Sequence, residues 1–210
     1  MRRLCIFTAS GKEYKMQSKT TDKKSRKLAV IFPGIGYHTD KPLLYYSKKS
    51  AKSADYEIVE VPYGNFPQGV KGSPEKMAQC FNSALQQAEK LLEHVDFALY
   101  EELLFISKSV GTAVASEYAN RHGLHTRNIF YTPVAQTFPF VKNGGIVFHG
   151  TADPWVETSI VKNCCEEKNL PLYITENANH SLETGEVMTD LQNMERIMEI
   201  TGKYIENLRS

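Results

Sequence analysis

The chain has 210 residues, of which 41% are hydrophobic and 23% charged, with a formal net charge of +1. That length suits one substantial core and is short for two typical domains, so a single domain over residues 1–210 is expected. The near-neutral charge gives no reason to expect a nucleic-acid partner, and no apolar run approaches the roughly 20 residues that cross a bilayer, so no membrane partner is expected either.

In chain order, residues 3–8 and about 13–18 read as the two strands of a hairpin around Ser10-Gly11-Lys12. The basic opening is followed by only a short apolar stretch and then by charge, which reads as a first strand rather than a signal peptide. The segment DKKSRK, residues 22–27, reads as a solvated turn. From Leu28 the pattern changes to continuous apolar runs: LAVIF (28–32), EIVEV (57–61), LLFI (103–106), NIFY (128–131), GIVFH (145–149) and PLYIT (171–175). Runs of this kind suit parallel strands covered on both faces.

The segments between the runs are helical in pattern. Over 73–95, Ser73 is a plausible N-cap, Pro74 fits the first helical position, and Met77, Phe81, Ala84, Ala88, Leu91 and Val95 recur at helical spacing. The closing segment repeats this stripe with Val187, Leu191, Met194, Ile197, Ile205 and Leu208. Strands alternating with helices imply crossover connections, hence an α/β fold with a mainly parallel sheet and helices on both faces, to which the opening hairpin is expected to add antiparallel strands at one edge.

In open α/β sheets, chemistry gathers at the carboxyl ends of the strands. After LLFI comes Ser107-Lys108-Ser109-Val110-Gly111, a strand-to-helix turn that matches the nucleophile elbow G-x-S-x-G with serine in place of the first glycine. Small residues are needed two before and two after the nucleophile because the sharp turn brings strand and helix close together. Lys108 reads as a neighbour exposed by that turn, with contact to an anionic substrate as the alternative. GIVFH is followed by Gly150-Thr151-Ala152-Asp153-Pro154-Trp155, and PLYIT by Glu176-Asn177-Ala178-Asn179-His180-Ser181. Taken alone, Asp153 could be a turn residue before proline and His180 a solvated loop histidine. Together with Ser109 they stand at three successive strand ends in the order nucleophile, acid, base. An aspartate there can hold the tautomer of a histidine that reaches the serine hydroxyl as general base.

These segments resemble the α/β-hydrolases. HGTADPWV (149–156) is similar to their HG-x-x-D-x-x-V acid segment, NANHSLE (177–183) to their catalytic-histidine loop, and Pro33-Gly34-Ile35-Gly36-Tyr37 to their HGxG oxyanion loop, with proline where histidine is usual. The resemblance runs from about Leu28 to the C-terminus and points to the small, capless, dienelactone hydrolase and esterase-like branch. It implies Ser109, Asp153 and His180 as the triad, and Val110 with Ile35 or Gly36 as main-chain oxyanion donors. It also implies a small-molecule acyl substrate, with no cofactor and no metal. A serine nucleophile argues against the dehalogenase and epoxide-hydrolase branches. The connection 132–143 leaves no room for the helical cap that many members insert there, so no separate cap domain is expected.

Tyr37, Tyr63, Phe66, Phe138, Phe140 and Trp155 are all expected near strand ends, where they could form an apolar substrate pocket or serve as core. His122 and His125 read as a surface helix end, His149 as a structural histidine, and Lys48, Lys49 and Lys52 as one solvated helix face. Cys5, Cys80, Cys164 and Cys165 form no CxxC pair and read as free thiols of a cytoplasmic protein. The expected reaction is cleavage of a carboxylic ester or thioester. An amidase or peptidase on the same triad, or a non-catalytic binding protein on a hydrolase scaffold, are the alternatives.

Overall fold

The computed structural model describes residues 26–207 except 68, 71 and 72, together with the strand segments Cys5–Phe7 (β1) and Glu13–Lys15 (β2). The remainder of the expected hairpin, its Ser10-Gly11-Lys12 turn, most of the DKKSRK turn and Leu208 lie outside the described residues.

The apolar runs form a sheet of six strands: β3 (Lys27–Phe32), β4 (Tyr56–Glu60), β5 (Glu102–Lys108), β6 (Arg127–Tyr131), β7 (Gly145–Gly150) and β8 (Leu172–Thr175). Their order is β4-β3-β5-β6-β7-β8 and every pairing is parallel. This corrects the expectation of antiparallel strands at a sheet edge. β1 and β2 pair with each other as a separate two-stranded sheet, and the central sheet is wholly parallel. The sequence carries a physical reason. A strand of the covered sheet needs apolar residues for both faces, and Glu13-Tyr14-Lys15 has one tyrosine between two charges.

Alternation along each strand sorts the core into two faces. Ala29 and Ile31 of β3, with Leu104 and Ile106 of β5, pack against Leu43, Leu44 and Ala51 of helix α1 (Pro42–Ser53) and Ile197 and Ile205 of helix α5 (Val187–Glu206). Leu28, Val30, Phe32 and Phe105 face the other way, against helices α2 (Pro74–Leu92) and α3 (Val110–Arg121). Helix α4 (Thr158–Glu167) covers Phe130 and Val147 on that second side. The Tyr131 hydroxyl, in the first layer, meets Ser47 of α1 at 2.8 Å and Thr201 of α5 at 2.7 Å, so the buried phenol is satisfied from both helices.

Helix α2 starts as its sequence dictates, with Ser73 Oγ accepting from the Lys76 N–H at 3.3 Å and Pro74 in the first turn. Helix α5 departs from its stripe. Ile197 and Ile205 are buried, whereas Val187 and Leu191 are 68% and 59% exposed. Helical spacing decides which residues share a face, but not whether a partner covers that face along its whole length. Among the described residues no helix is long and apolar enough to cross a membrane.

The chain runs from β3 to β4 on one side and from β5 to β8 on the other. Strand order therefore reverses between β3 and β5, which is where open α/β sheets place their ligand crevice.

Candidate active site

Ser109 stands between the last residue of β5 and the first of α3, in the left-handed region at φ 55° and ψ −127°. Its N–H still donates to the Tyr131 carbonyl at 3.0 Å, extending the β5–β6 ladder up to the turn. A side chain held in so unfavourable a backbone conformation is characteristic of a functional turn.

The small residues around it have visible reasons. A Cβ on Gly111 would lie 2.3 Å from the Pro33 carbonyl oxygen and 2.5 Å from that of Phe32, so helix α3 starts directly against the end of β3. A Cβ on Gly34 would lie 3.0 Å from that of Ser109, which lays the loop after β3 against the elbow. Ser107, where glycine is usual, is fully buried and donates its hydroxyl to the Ile129 carbonyl at 3.2 Å. The elbow therefore accepts serine because β6 supplies an acceptor.

The ends of β7 and β8 bring the partners. His180 Nε2 is 2.8 Å from Ser109 Oγ, and its Nδ1 is 2.7 Å from Asp153 Oδ2. The Asp153 side chain is fully buried, and its other oxygen accepts the Trp155 N–H at 2.9 Å. A carboxylate offers only acceptors, so Nδ1 carries the proton and Nε2 is free to take one from the serine. Burial pushes the His180 imidazole below its ordinary pKa, and the Lys108 charge lowers it further. The hydrogen bond to Asp153 and that carboxylate's charge oppose both effects.

His149 is fully buried with Nε2 3.0 Å from Thr158 Oγ1, and its Nδ1, which has no hydrogen-bond partner, faces Asp153 Oδ2 at 4.0 Å. Burial holds this imidazole below its usual pKa, so a second neutral ring lies beside the acid.

Opposite the triad, Gly34 and Tyr37 close a turn, with Gly34 N–H to Tyr37 O at 3.1 Å and Tyr37 N–H to Gly34 O at 3.3 Å. The N–H groups of Ile35 and Gly36 at its tip take no acceptor among the described residues. Val110 is the first residue of α3, where a helix leaves N–H groups unpaired and concentrates its positive end.

The six aromatic residues separate. Trp155 packs on the triad, its ring 5.6 Å from that of His180. Tyr63 donates its hydroxyl to the Pro33 carbonyl at 2.5 Å and packs edge-on to Phe66 at 5.9 Å, so this pair flanks the loop after β3. Tyr37 is buried, with its oxygen accepting from the Leu43 N–H. Phe138 belongs to the core beside Phe130, Val147 and Val156. Phe140 stacks on Phe81 of α2 at 5.4 Å.

The structure corrects the reading of Lys108 as an exposed neighbour: it is 1% exposed. The reason was present in the sequence. Two residues on from Ile106, Lys108 falls on the same sheet face as Leu104 and Ile106, the face covered by α1 and α5.

Two further residues escaped sequence reading. Thr132, directly after β6, has φ 40° and holds the His180 carbonyl with its hydroxyl at 3.0 Å. Asn179 Oδ1 accepts from the N–H groups of Ser181 and Glu183 at 2.7 and 3.3 Å, shaping the histidine loop. Asparagine commonly bonds its own backbone two residues on in this way, so its place in a loop is the available sign.

His122 lies 2.6 Å from Glu89 and packs on Tyr118, at the end of α3. Among the described residues no group of three or more His, Cys, Asp or Glu side chains is arranged to hold a metal ion.

No protein-family model matches the sequence, and no curated protein does. The fold does have relatives among solved structures. An alpha-beta serine hydrolase homologue from Coxiella burnetii is 12% identical with a TM-score of 0.63, over 95% of this chain and 96% of its own. An α/β serine hydrolase without lid from Xanthomonas campestris is 12% identical with a TM-score of 0.60, over 97% of this chain and 94% of its own. An esterase from Pyrococcus furiosus is 13% identical with a TM-score of 0.60, over 97% of this chain and 92% of its own. At these identities the likeness shows the fold, and the site geometry must carry the chemistry. Taken together, this chain has the α/β-hydrolase fold, and at its strand ends Ser109, His180 and Asp153 are joined as in a serine hydrolase.

Proposed function

We propose that the protein hydrolyses a carboxylic ester or thioester of a small acyl substrate through an acyl-serine intermediate. The observation that carries this reading is the unbroken hydrogen-bond chain from Ser109 through His180 to Asp153, at 2.8 and 2.7 Å. Ser109 Oγ attacks the acyl carbon while His180 Nε2 takes its proton. The carbonyl π electrons move to oxygen, and that oxyanion rests on the main-chain N–H of Val110 and of Ile35. The tetrahedral species collapses, His180 returns the proton to the departing alcohol or thiol, and the acyl group stays on Ser109. Water, deprotonated by His180, then releases the acid and restores the serine.

No step draws on a cofactor or metal. Trp155, Tyr63 and Phe66 are the side chains proposed to border the acyl group, on an open site with no separate cap domain. The connection from β6 to β7 holds a single 3-10 helix, Ala135–Phe140, which supports this. The placement in the dienelactone hydrolase and esterase-like branch, and a cytoplasmic location, belong to the same reading. The latter is supported by the unpaired thiols of Cys80, Cys164 and Cys165.

Labelling with a fluorophosphonate followed by peptide mapping tests the assignment. Label on Ser109, absent in Ser109→Ala and strongly reduced in His180→Ala, is the expected result. A folded wild type that does not label would instead support a binding protein on this scaffold.

The titration of His180 sets the acid side of the pH profile. His180 must be neutral to act as base, and its pKa lies below the ordinary value. The fall of kcat/KM with acidity is therefore expected below about pH 6.5. A pH–rate profile on an activated ester checks this, and a midpoint above that value would contradict the burial argument.

A further inference from the structure

The catalytic histidine is held at its backbone as well as at its ring. The His180 carbonyl oxygen accepts from Lys108 Nζ at 2.7 Å and from Thr132 Oγ1 at 3.0 Å. Lys108 Nζ also donates to Thr132 Oγ1 at 2.5 Å, which closes a three-membered cluster. The ammonium lies 5.0 Å from the centre of the Tyr37 ring, beneath the loop after β3.

Both residues are there against their own preferences. Lys108 is among the largest fully buried side chains, on a sheet face otherwise formed by Leu104 and Ile106. An ammonium in such a place is costly unless it is fully hydrogen-bonded. Thr132 is β-branched and adopts φ 40°, a backbone region such residues avoid. The two unfavourable features converge on one atom, the carbonyl oxygen of the residue that must bridge Ser109 and Asp153.

We propose that Lys108 and Thr132 form a clamp that positions the general base, fixing the His180 backbone so that its ring meets Ser109 and Asp153 together. The proposal rests on the serine-hydrolase reading. Lys108 is in this sense a positioning residue, buried behind the elbow, acting on the reaction through His180. It also acts electrostatically. Its charge lies near His180, facing Asp153 from the end of β7, Glu183 from the histidine loop and Tyr37 from the loop after β3. Burial pushes the amine down to about 7 against the pull of Asp153 and Glu183. When protonated, Lys108 places a positive charge near the ring that favours the neutral imidazole.

The test compares wild type, Lys108→Met and Thr132→Val. The readouts are fluorophosphonate labelling rate, kcat and KM on an activated ester, and the His180 pKa followed by NMR of its ring protons. Lys108→Met is expected to lower kcat and the labelling rate by about 10–100-fold, by analogy with the loss when the hydrogen-bond partners that orient a metal-bound histidine are removed, with KM little changed. It should also raise the His180 pKa, because a nearby positive charge has gone. Thr132→Val removes a hydroxyl and no charge, so kcat should fall by a smaller factor with the pKa unmoved. If Lys108→Met fails to fold, the kcat-against-KM split in Thr132→Val decides.

Labelling at the wild-type rate with an unmoved His180 pKa in Lys108→Met would overturn the clamp alone. A folded wild type that does not label would remove the serine-hydrolase reading and the clamp with it.

Discussion

Asp153→Asn is expected to lower kcat on an activated ester by about 10⁴-fold while leaving the protein folded. The Asp153 side chain is fully buried and both of its oxygens are committed as acceptors, one to His180 Nδ1–H and one to the Trp155 N–H. An amide has one acceptor and one donor group. If its oxygen faces Trp155, its NH₂ faces Nδ1, which forces the histidine into the tautomer with its proton on Nε2. That tautomer cannot accept the Ser109 proton. If the amide is turned over, two donors meet at Trp155 instead. Either arrangement disables the base with almost no change in volume, so the loss should appear in kcat and in fluorophosphonate labelling, with the circular-dichroism spectrum preserved. A loss below tenfold would mean that His180 is oriented without the carboxylate.

The second large effect is on stability. Gly111→Ala should destabilise the protein by about 2 kcal/mol net. An added Cβ would gain about 1 kcal/mol of helix propensity. It would also overlap two main-chain oxygens, of Pro33 and Phe32, and lie 2.7 Å from the Tyr63 hydroxyl. Overpacking against groups that cannot rotate away typically costs about 1–3 kcal/mol, here at the upper end. Gly202→Ala in α5 provides the control, since a Cβ there meets nothing within 4 Å. That substitution should stabilise by about 0.5–1 kcal/mol. Urea denaturation of the two variants should move the midpoint in opposite directions. Because the displaced Pro33–Gly34 backbone carries the proposed oxyanion loop, Gly111→Ala should also slow labelling of Ser109.

Much of this architecture was legible from residue order. Continuous apolar runs identify covered parallel strands, because only such strands need apolar residues on both faces. Parallel strands joined by crossovers end at one rim, so Ser109, Asp153 and His180, each placed just after a run, were bound to approach one another. Their hydrogen bonds needed no signal beyond strand ends, turn residues and order.

Other features depended on what the chain folds against. Lys108 lies beside an exposed turn in the sequence, yet in the structure it is buried under Tyr37 and the His180 loop, which arrive from 71 residues before it and 72 after it. Both partners come from other elements, one from the loop after β3 and one from the loop after β8. The two-residue period could have shown which face Lys108 takes, but not that two loops would close over it. Phe138 entered the core and Trp155 the site, although both are aromatic residues near strand ends. The apolar stripe of α5 begins with Val187 and Leu191, which nothing buries. β1 and β2 pair apart from the central sheet. Periodicity is a property of one segment's own backbone, and it reports which side chains share a face. Burial, and the choice between core and site, is a property of two or more segments meeting, and only the tertiary structure decided it.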